Sequence, residues 1–286
     1  MTEWKIEEKR VVLTGGNCGI GLATAKELCR RGAEVHITAR DEAKGRAAVA
    51  EIEEEVPGAK ITCHLLDLAQ RASIRNFAEL IQEQLASIDV LIHNAGLILS
   101  QRQELEGGVE ATFGINHLGP FLLTELLLPK LRQSAPARIV VVASFAHNRA
   151  RGLDFDDLQS KRNYHGVAVY SASKLANILF TRELAGRLEG SGVTANCLHP
   201  GVVATRFAAD GDADGLWGFV FKYLRFLLLT PERGARTSVF LASDQSLDGQ
   251  NGGYYSGCRL AKPSRAASDD LAAKKLWAAS RELLGL

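Results

Sequence analysis

The first two thirds of the chain alternate short, continuously apolar segments with longer segments of helical periodicity. Strands that are apolar on both faces are typical of a parallel sheet with helices packed on each side. We therefore predict an α/β fold built on a single doubly wound parallel sheet. The predicted strands are 10–14, 34–39, 60–67, 89–96, 138–144 and 192–201, and the helical patterns between them cover 21–32, 41–56, 73–85, 115–131 and 168–188.

We predict that residues 1–286 form one domain, because no Pro-rich or Ser-rich linker and no internal repeat divides them. Two irregular regions, 145–167 and 207–230, are long for connections, and such loops are usually functional. Ligands of parallel sheets bind beyond the carboxyl ends of the strands, so we expect these regions to form substrate loops. Within the second, the apolar window Leu216–Leu229 could be a substrate lid, a core helix or an amphipathic helix on a membrane surface.

Charge and cysteine content exclude several classes of function. The net charge is +1 and no long block carries one sign, so we expect no nucleic-acid partner. The five cysteines lack C-x-x-C spacing, which predicts reduced thiols and no metal site. The start, MTEWKIEEKR, resembles neither a signal peptide nor a transmembrane anchor. We therefore expect a cytoplasmic protein, with peripheral membrane contact left open.

A glycine-rich segment, TGGNCGIG at 14–21, follows the first predicted strand directly and precedes a helix. Its spacing differs from G-x-G-x-x-G. Gly15, Gly19 and Gly21 would still permit a tight turn that aims the helix amino terminus at a pyrophosphate. An ordinary strand-to-helix turn is the alternative, but the position in the first βαβ unit favours dinucleotide binding.

The residues that end the second strand bear on which dinucleotide would bind. Arg40 comes first, and a guanidinium suits a 2′-phosphate through paired donors. Asp41 comes next, and its carboxylate would repel that phosphate unless it serves as the N-cap of the following helix. We therefore predict that NADP(H) is preferred over NAD(H).

The segment YSASK places Tyr170 and Lys174 four positions apart in a helical pattern, so the two side chains share one face. Lowering the pKa of a tyrosine from about 10 to about 7 requires roughly 4 kcal/mol of preferential phenolate stabilisation. A nearby ammonium, together with an oxidised nicotinamide, could provide it. A surface tyrosine beside a solvated lysine is the alternative.

Seven motifs in order, TGGNCGIG, LLDLA, HNAG, INHLG, VVVAS, YSASK and HPGVVAT, together resemble the short-chain dehydrogenase/reductase superfamily, whose fold is of the Rossmann type. INHLGPFLLTELLLPKL, SKLANILFTRELAGRL and the terminal LWAASRELLGL resemble its retinol dehydrogenase branch. The resemblance covers nearly the whole chain. It implies an enzyme that transfers a hydride between the nicotinamide and an alcohol or carbonyl carbon.

The resemblance implies a role for each of four side chains. Tyr170 would protonate the carbonyl oxygen, and Lys174 would lower the tyrosine pKa and bind the nicotinamide ribose. Ser144 would hold and polarise the same oxygen, and Asn116 would position a water in a proton relay. All four would donate or order hydrogen bonds around one developing alkoxide.

The resemblance also implies a cofactor-binding set. Asp67 would border the adenine, although it could instead cap the next helix, and Asn94–Gly96 would pass beneath the adenosine ribose, although it could be a simple strand-ending turn. Pro200, Gly201 and Thr205 would close over the nicotinamide and its phosphate. The full predicted set is Gly15, Asn17, Cys18, Gly19, Ile20, Gly21, Arg40, Asp67, Leu68, Asn94, Ala95, Gly96, Tyr170, Lys174, Pro200, Gly201, Val203 and Thr205.

Two positions depart from the family pattern. His93 stands where an asparagine is commoner, and Ala143 where retinol dehydrogenases have a second serine. Neither change removes a reacting group, and we interpret His93, His147 and His199 as structural.

We expect an NADP(H)-dependent enzyme for a small hydrophobic carbonyl or alcohol, with retinal and retinol as the first candidates. A steroid-type ketone, or an NADP(H)-sensing binding protein without turnover, are the alternatives. Superfamily relatives often pair through the helices that correspond to those of Asn116 and Tyr170, so a homodimer is one option.

Overall fold

The computed structural model describes residues 4–201 and 229–286, and an eight-stranded sheet is the centre of this part of the chain. The strands are β1 Arg10–Leu13, β2 Glu34–Ala39, β3 Lys60–Leu65, β4 Val90–His93, β5 Glu104–Leu105, β6 Val109–Glu110, β7 Ala137–Val142, β8 Val193–His199, β9 Tyr254–Ser256 and β10 Arg259–Leu260. The strand order is β10-β9-β8-β7-β4-β1-β2-β3, and all neighbours are parallel except the antiparallel β9–β10 pair. A separate antiparallel hairpin pairs β5 with β6.

Helices cover both faces of this sheet. Strand β1 shows why: Val12 packs into the core on one face, while Val11 and Leu13 pack into the core on the other, and all three are fully buried. This confirms the predicted doubly wound, Rossmann-type α/β fold. The helices are α1 Gly19–Arg30, α2 Glu42–Glu55, α3 Arg71–Gln84, α4 Ala111–Phe113, α5 Gly119–Gln133, α6 Gly166–Arg187, α7 Pro231–Ser243 and α8 Asp270–Leu284.

The winding direction of the sheet reverses between β1 and β4. The chain first runs outward through β2 and β3, then returns to β4 and continues outward on the other side through β7 and β8. The N–H of Thr14 donates to the carbonyl of Ile92 at 2.9 Å, which joins the two carboxyl ends at this point. Doubly wound sheets bind ligands in the crevice at such a reversal.

The predicted elements agree with the structure at their centres and differ at their ends. The predicted strand 89–96 is only Val90–His93, because Asn94–Gly96 leave the sheet to contact the glycine-rich loop. The irregular region 145–167 contains a 3₁₀ helix, Phe145–Arg149. Of the second predicted substrate loop, 207–230, and of the apolar window Leu216–Leu229, all but residues 229 and 230 lie outside the described residues.

Helix α8 packs across α5 and α6. The Trp277 ring lies 4.7 Å from the Phe121 ring and 5.9 Å from the Phe180 ring, measured between centroids. Nε2 of His117 lies 2.8 Å from Oγ of Ser280. The helices through which relatives often pair are therefore in contact with the chain's own C-terminal helix here. Among the described helices, none combines the length and the apolar character needed to cross a bilayer.

Candidate active site

The glycine-rich loop between β1 and α1 has a backbone that only glycine adopts readily. Gly15 and Gly19 have φ angles of +68° and +55°, in the left-handed region. A Cβ atom placed on Gly21 would lie 2.0 Å from the carbonyl oxygen of Gly15 and 2.6 Å from Nδ2 of Asn94. The loop therefore lies closely against the end of β4 and leaves no room for a side chain at position 21.

Two side chains tie this loop to β4. Asn94 donates from Nδ2 to the carbonyl oxygens of Thr14 and Gly15, both at 3.0 Å. Oγ1 of Thr14 accepts from the N–H groups of Asn94 and Ala95 at 3.0 Å and 3.2 Å. Residues 94–96 therefore form a turn at the end of β4, and this turn fixes the conformation of the glycine-rich loop.

The amino terminus of α1 is suited to an anion. The helix begins at Gly19, and its N-cap Cys18 is extended and makes no side-chain capping bond. The first N–H groups of any α-helix have no partner within the helix, and they carry the positive end of its dipole. No acidic residue lies in the first turn. Such a helix start can bind a phosphate group, and the contact of Asn17, Cys18 and Ile20 with a pyrophosphate stays a prediction.

The carboxyl ends of β2 and β3 carry the residues predicted to select the cofactor. Arg40 is exposed at the end of β2. The N-cap interpretation of Asp41 is confirmed, because its Oδ1 accepts from the N–H of Lys44 at 2.8 Å. This carboxylate is thus engaged by the backbone of α2.

Asp67 and Leu68 follow β3. The alternative role of Asp67 as a helix N-cap is wrong: α3 is capped at Gln70, and Asp67 instead accepts from the N–H of Ala69 at 3.0 Å. The carboxylate turns back to its own loop because α3 begins four residues later, at Arg71. Leu68 is buried in the core on the α3 and α5 side.

Lys174 is a buried cation on α6. Its side chain is 3% exposed, and Nζ donates to the carbonyl oxygen of Val142, at the end of β7, over 3.1 Å. Burial lowers the pKa of this amine to about 8. Nζ lies 5.7 Å from the centroid of the Tyr170 ring, so the two side chains of YSASK lie on the same side of α6.

Tyr170 differs electrostatically from the prediction. Burial raises the pKa of its phenol to about 12, and a hydrogen bond with Ser144 acts in the opposite direction. Desolvation raises the pKa of the phenol by more than the hydrogen bond lowers it. In the protein alone, Tyr170 is therefore a protonated phenol at neutral pH, and the expected lowering of its pKa would need a further positive charge in the site.

Asn116 lies on a π-helical segment, Gly114–Leu118, which joins α4 to α5. Its fully buried side chain accepts from the N–H of Leu97 and donates to the carbonyl of the same residue, both at 2.8 Å. Nδ2 also donates to Oγ of Ser173 at 3.0 Å, and that hydroxyl donates to the carbonyl of Tyr170 at 2.8 Å. Isolated π turns occur frequently at functional sites. This one links Asn116 to the backbone of the tyrosine.

Ser144 lies two residues after the end of β7. Its Oγ accepts from the N–H of Ala146 at 3.1 Å, as the N-cap of the 3₁₀ helix Phe145–Arg149. The hydroxyl also forms a hydrogen bond with Tyr170, so the two reacting side chains of the prediction lie next to each other.

The residues after β8 complete the near side of the site. Gly201 has a φ of +85°, and its N–H donates to Nδ1 of His199 at 3.0 Å. Nε2 of His199 lies 2.9 Å from Oγ of Ser256. Pro200 and Gly201 therefore lie at the carboxyl end of β8, as predicted, while Val203 and Thr205 lie outside the described residues.

The structure brings Asn116, Ser144, Tyr170 and Lys174 together at the carboxyl edge of the sheet, beside the glycine-rich loop. We call these four side chains the candidate catalytic cluster. A Cβ atom on Gly96 would lie 3.1 Å from Nζ of Lys174 and 3.2 Å from Oδ1 of Asn116, so the turn after β4 contacts the cluster as well as the glycine-rich loop. Arg40, Asp67 and Leu68 lie at the far end of the same edge, beyond β1.

Sequence reasoning missed three side chains that hold these parts in place. Thr14 ties the loop to β4, Oγ1 of Thr38 accepts from the N–H of Gly15 at 3.2 Å, and Ser173 connects Asn116 to Tyr170. A threonine immediately before the first glycine was the available signal, since a hydroxyl at a strand end commonly bonds neighbouring backbone.

The chain belongs to the short chain dehydrogenase family, whose model matches residues 9–214. It is an oxidoreductase of that family. Among curated proteins, it is 43% identical over 288 residues to human retinol dehydrogenase 13, covering 98% of this chain and 86% of that protein. It is 41% identical to mouse retinol dehydrogenase 12, covering 100% of this chain and 89% of that protein.

Solved structures agree with the family assignment. A crystal structure of an uncharacterized protein from Mycobacterium paratuberculosis matches with a TM-score of 0.78 and 34% identity, covering 99% of this chain and 98% of that chain. The NADP complex of RhlG from Pseudomonas aeruginosa matches with a TM-score of 0.69 and 26% identity, covering 89% of this chain and 96% of that chain. The fold and its crevice are thus those of nicotinamide-dependent oxidoreductases.

Proposed function

We propose that this chain is an NADP(H)-dependent oxidoreductase that interconverts an apolar carbonyl compound and its alcohol, with retinal and retinol as the first pair to test. The observation that carries the proposal is the meeting of Tyr170, Lys174, Ser144 and Asn116 at one edge of the sheet, beside the glycine-rich loop. A bound nicotinamide would supply or accept the hydride.

Each of the four side chains has a distinct task in this proposal. Ser144, whose Oγ is held by the N–H of Ala146, would donate its hydroxyl hydrogen to the substrate oxygen in place of its present hydrogen bond with Tyr170. Tyr170, protonated at neutral pH, delivers a proton to the same oxygen during reduction. Lys174 retains most of its charge at neutral pH and favours the phenolate that remains. Asn116 holds Leu97 and, through Ser173, the backbone of Tyr170, and it would also order a relay water.

The oxidation direction asks for a different charge state. Tyr170 must then accept a proton from the alcohol, which requires a phenolate that burial disfavours. Lys174 and the positive ring of an oxidised nicotinamide would together stabilise it. We therefore propose that oxidation begins only after the oxidised cofactor has bound, whereas the protein alone is in the protonation state that reduction needs.

The preference for NADP(H) rests on Arg40. Its guanidinium is exposed at the end of β2, while the neighbouring Asp41 is engaged as the N-cap of α2. A 2′-phosphate would be attracted by the charge of Arg40. The carboxylate of Asp41 would repel it less, because that carboxylate already accepts a hydrogen bond from the backbone N–H of Lys44. The NADP complex of RhlG gives further support.

The apolar substrate rests on similarity to retinol dehydrogenases and on Phe145. This aromatic residue follows Ser144 directly, and 61% of its surface is exposed. A large exposed aromatic side chain beside a polar reacting group is an apolar wall for a substrate.

We also propose that residues 1–286 form one domain and that the protein is located in the cytoplasm. Fractionation of expressing cells would test the location.

The test is a substrate screen with purified protein, NADPH or NADH, and a panel of apolar aldehydes and ketones that includes retinal and a steroid ketone. Consumption of NADPH faster than NADH, with retinal among the better substrates, is the expected result. Turnover of the steroid ketone alone would redirect the substrate assignment. Binding of NADPH without turnover of any carbonyl, or of any alcohol with NADP, would identify a cofactor-binding protein and refute the enzymatic proposal.

A further inference from the structure

His147 is buried beside the candidate catalytic cluster, and both of its ring nitrogens are engaged. Its side chain is 1% exposed within the 3₁₀ helix that Ser144 caps. Nδ1 lies 2.7 Å from the carbonyl oxygen of Ser144, and Nε2 lies 3.2 Å from the backbone nitrogen of Ser264. The edge of the ring packs against Tyr254, with 5.2 Å between centroids.

These two contacts define the tautomer of the ring. The peptide N–H of Ser264 can only donate, so Nε2 of His147 must be an acceptor. The carbonyl of Ser144 can only accept, so Nδ1 must carry the hydrogen. The imidazole is then neutral, which agrees with its burial: desolvation lowers the pKa of His147. The result is a hydrogen-bond chain from Ser264 through His147 to Ser144.

The chain ends on the peptide group that determines where the Ser144 hydroxyl points. The Ser144 carbonyl accepts from His147 twice, from the ring and from the backbone N–H at 3.2 Å. The N–H of Ala146, one peptide further on, holds Oγ of Ser144 at 3.1 Å. A rotation of the Ser144 peptide would therefore move the donor that orients the reacting hydroxyl.

We propose that His147 is a positioning residue: through its Nδ1–H it fixes the Ser144 peptide at the end of β7 and thereby aims the Ser144 hydroxyl at the substrate oxygen. The inference rests on the proposed function. Ser264 lies in the segment between β10 and α8, so the C-terminal part of the chain supports the catalytic serine. A purely space-filling imidazole would need neither hydrogen bond.

A matched pair of substitutions separates the two ring nitrogens. In His147→Asn the amide nitrogen can take the place of Nδ1 and donate to the Ser144 carbonyl. In His147→Gln the longer side chain places its amide near Nε2, where it can accept from Ser264 and does not reach Ser144. His165→Gln, at an exposed position before α6 whose side chain makes no capping bond, is the control.

We expect His147→Gln to lower kcat for the best carbonyl by about ten- to a hundredfold, because misaligned reacting groups cost rate at that scale. We expect KM for NADPH to stay within about twofold and kcat of His147→Asn within about threefold of the unmodified protein. Thermal unfolding of each variant is measured alongside. Equal kcat values for the two variants, or a change confined to KM for NADPH, would overturn the inference.

A second measurement needs no turnover. In protein labelled with ¹⁵N-histidine, His147, assigned by comparison with the His147→Asn variant, should show a protonated Nδ1 and a bare Nε2. An Nε2–H tautomer would break the hydrogen-bond chain and overturn the inference even in an active enzyme. If the unmodified protein turns over no substrate, the proposed function fails and the positioning role fails with it, whichever tautomer is observed.

Discussion

The glycine-rich loop and the candidate catalytic cluster lie at the same edge of the sheet, yet their polar side chains differ in what they do. In the loop region, the side chains of Thr14, Thr38 and Asn94 form hydrogen bonds with backbone groups of the loop and of the turn after β4. In the cluster, Lys174 and Tyr170 are ionisable side chains whose pKa values burial moves to about 8 and about 12.

The difference separates a region whose side chains fix the backbone conformation from a region whose side chains could take part in proton transfer. The hydrogen bonds of Thr14, Thr38 and Asn94 fix the shape of the loop, and none of them involves a charged side chain. Burying a lysine next to a tyrosine disfavours their charged forms, and groups perturbed in this way are found preferentially where a reaction uses them. Substitutions in the loop region should therefore change cofactor binding, and substitutions in the cluster should change turnover.

The largest effect is expected for Tyr170→Phe. Removing the phenolic hydrogen leaves no proton donor at the substrate oxygen, so kcat should fall by about a thousandfold or more. The affinity for NADPH, measured by fluorescence titration, should stay within about threefold. A comparable loss of NADPH affinity would show that Tyr170 contributes mainly to cofactor binding, and the two regions would then not differ in function.

Gly21→Ala should have the opposite signature. The new Cβ would lie 2.0 Å from the Gly15 carbonyl, so the loop must move and NADPH binding should weaken by about a hundredfold, since overpacking costs about 1–3 kcal/mol. Gly186→Ala is the control, because a Cβ there meets nothing within 4 Å and the site is exposed on α6. Unchanged NADPH affinity in Gly21→Ala would show that the loop does not cradle the cofactor.

Arg40→Ala tests the cofactor preference. The loss of a charge-assisted contact to the 2′-phosphate, worth about 1.5–3 kcal/mol, should weaken NADPH binding by about ten- to a hundredfold. NADH binding should be nearly unchanged, and so should both affinities in Arg46→Ala, whose guanidinium pairs with Glu42 on the exposed face of α2. Equal losses for the two cofactors would contradict the assignment of NADP(H).

The smallest effect concerns His93, which lies at the end of β4 between the two regions. Nε2 of His93 donates to Oγ1 of Thr124 at 2.7 Å, because that hydroxyl already donates to the Pro120 carbonyl. Burial lowers the pKa of His93 to about 3. The unfolded chain therefore binds a proton here that the folded chain does not, from pH 6.5 down to about 3, and stability falls with falling pH in that window.

His93→Asn should remove one such proton, so the slope of unfolding free energy against pH should decrease by about 1.4 kcal/mol per pH unit in that window. Urea unfolding at several pH values measures it. His165→Asn, at an exposed position, should leave the slope unchanged. An unaltered slope in His93→Asn would mean that His93 is protonated in the folded protein.

Much of this arrangement follows from sequence because local patterns and strand ends determine it. The apolar strands gave the doubly wound sheet, and the residues directly after β1, β4 and β7 had to meet at one edge. The N-cap role of Asp41 was foreseeable for the same reason, since a capping bond spans three residues. Contacts of this kind need no knowledge of distant parts of the chain.

The rest depended on long-range packing. The contact between Trp277 and Phe121, which places α8 across α5 and α6, joins residues far apart in sequence. The link from Ser264 to Ser144 through His147 is similar. The raised pKa of Tyr170 could not be predicted from the sequence either. The motif YSASK indicates a nearby cation, which would lower this pKa, but it does not indicate the burial that raises it.

Hydride transfer itself is the most direct test of the central claim. NADPH carrying deuterium at both hydrogen positions of nicotinamide C4 is incubated with the protein and with the best carbonyl of the panel, and the product is analysed by mass spectrometry. The account predicts one deuterium on the carbinol carbon with the unmodified protein and almost none with Tyr170→Phe in the same time. Bound NADPH that transfers no deuterium to any carbonyl, or equal transfer by the two proteins, would contradict it.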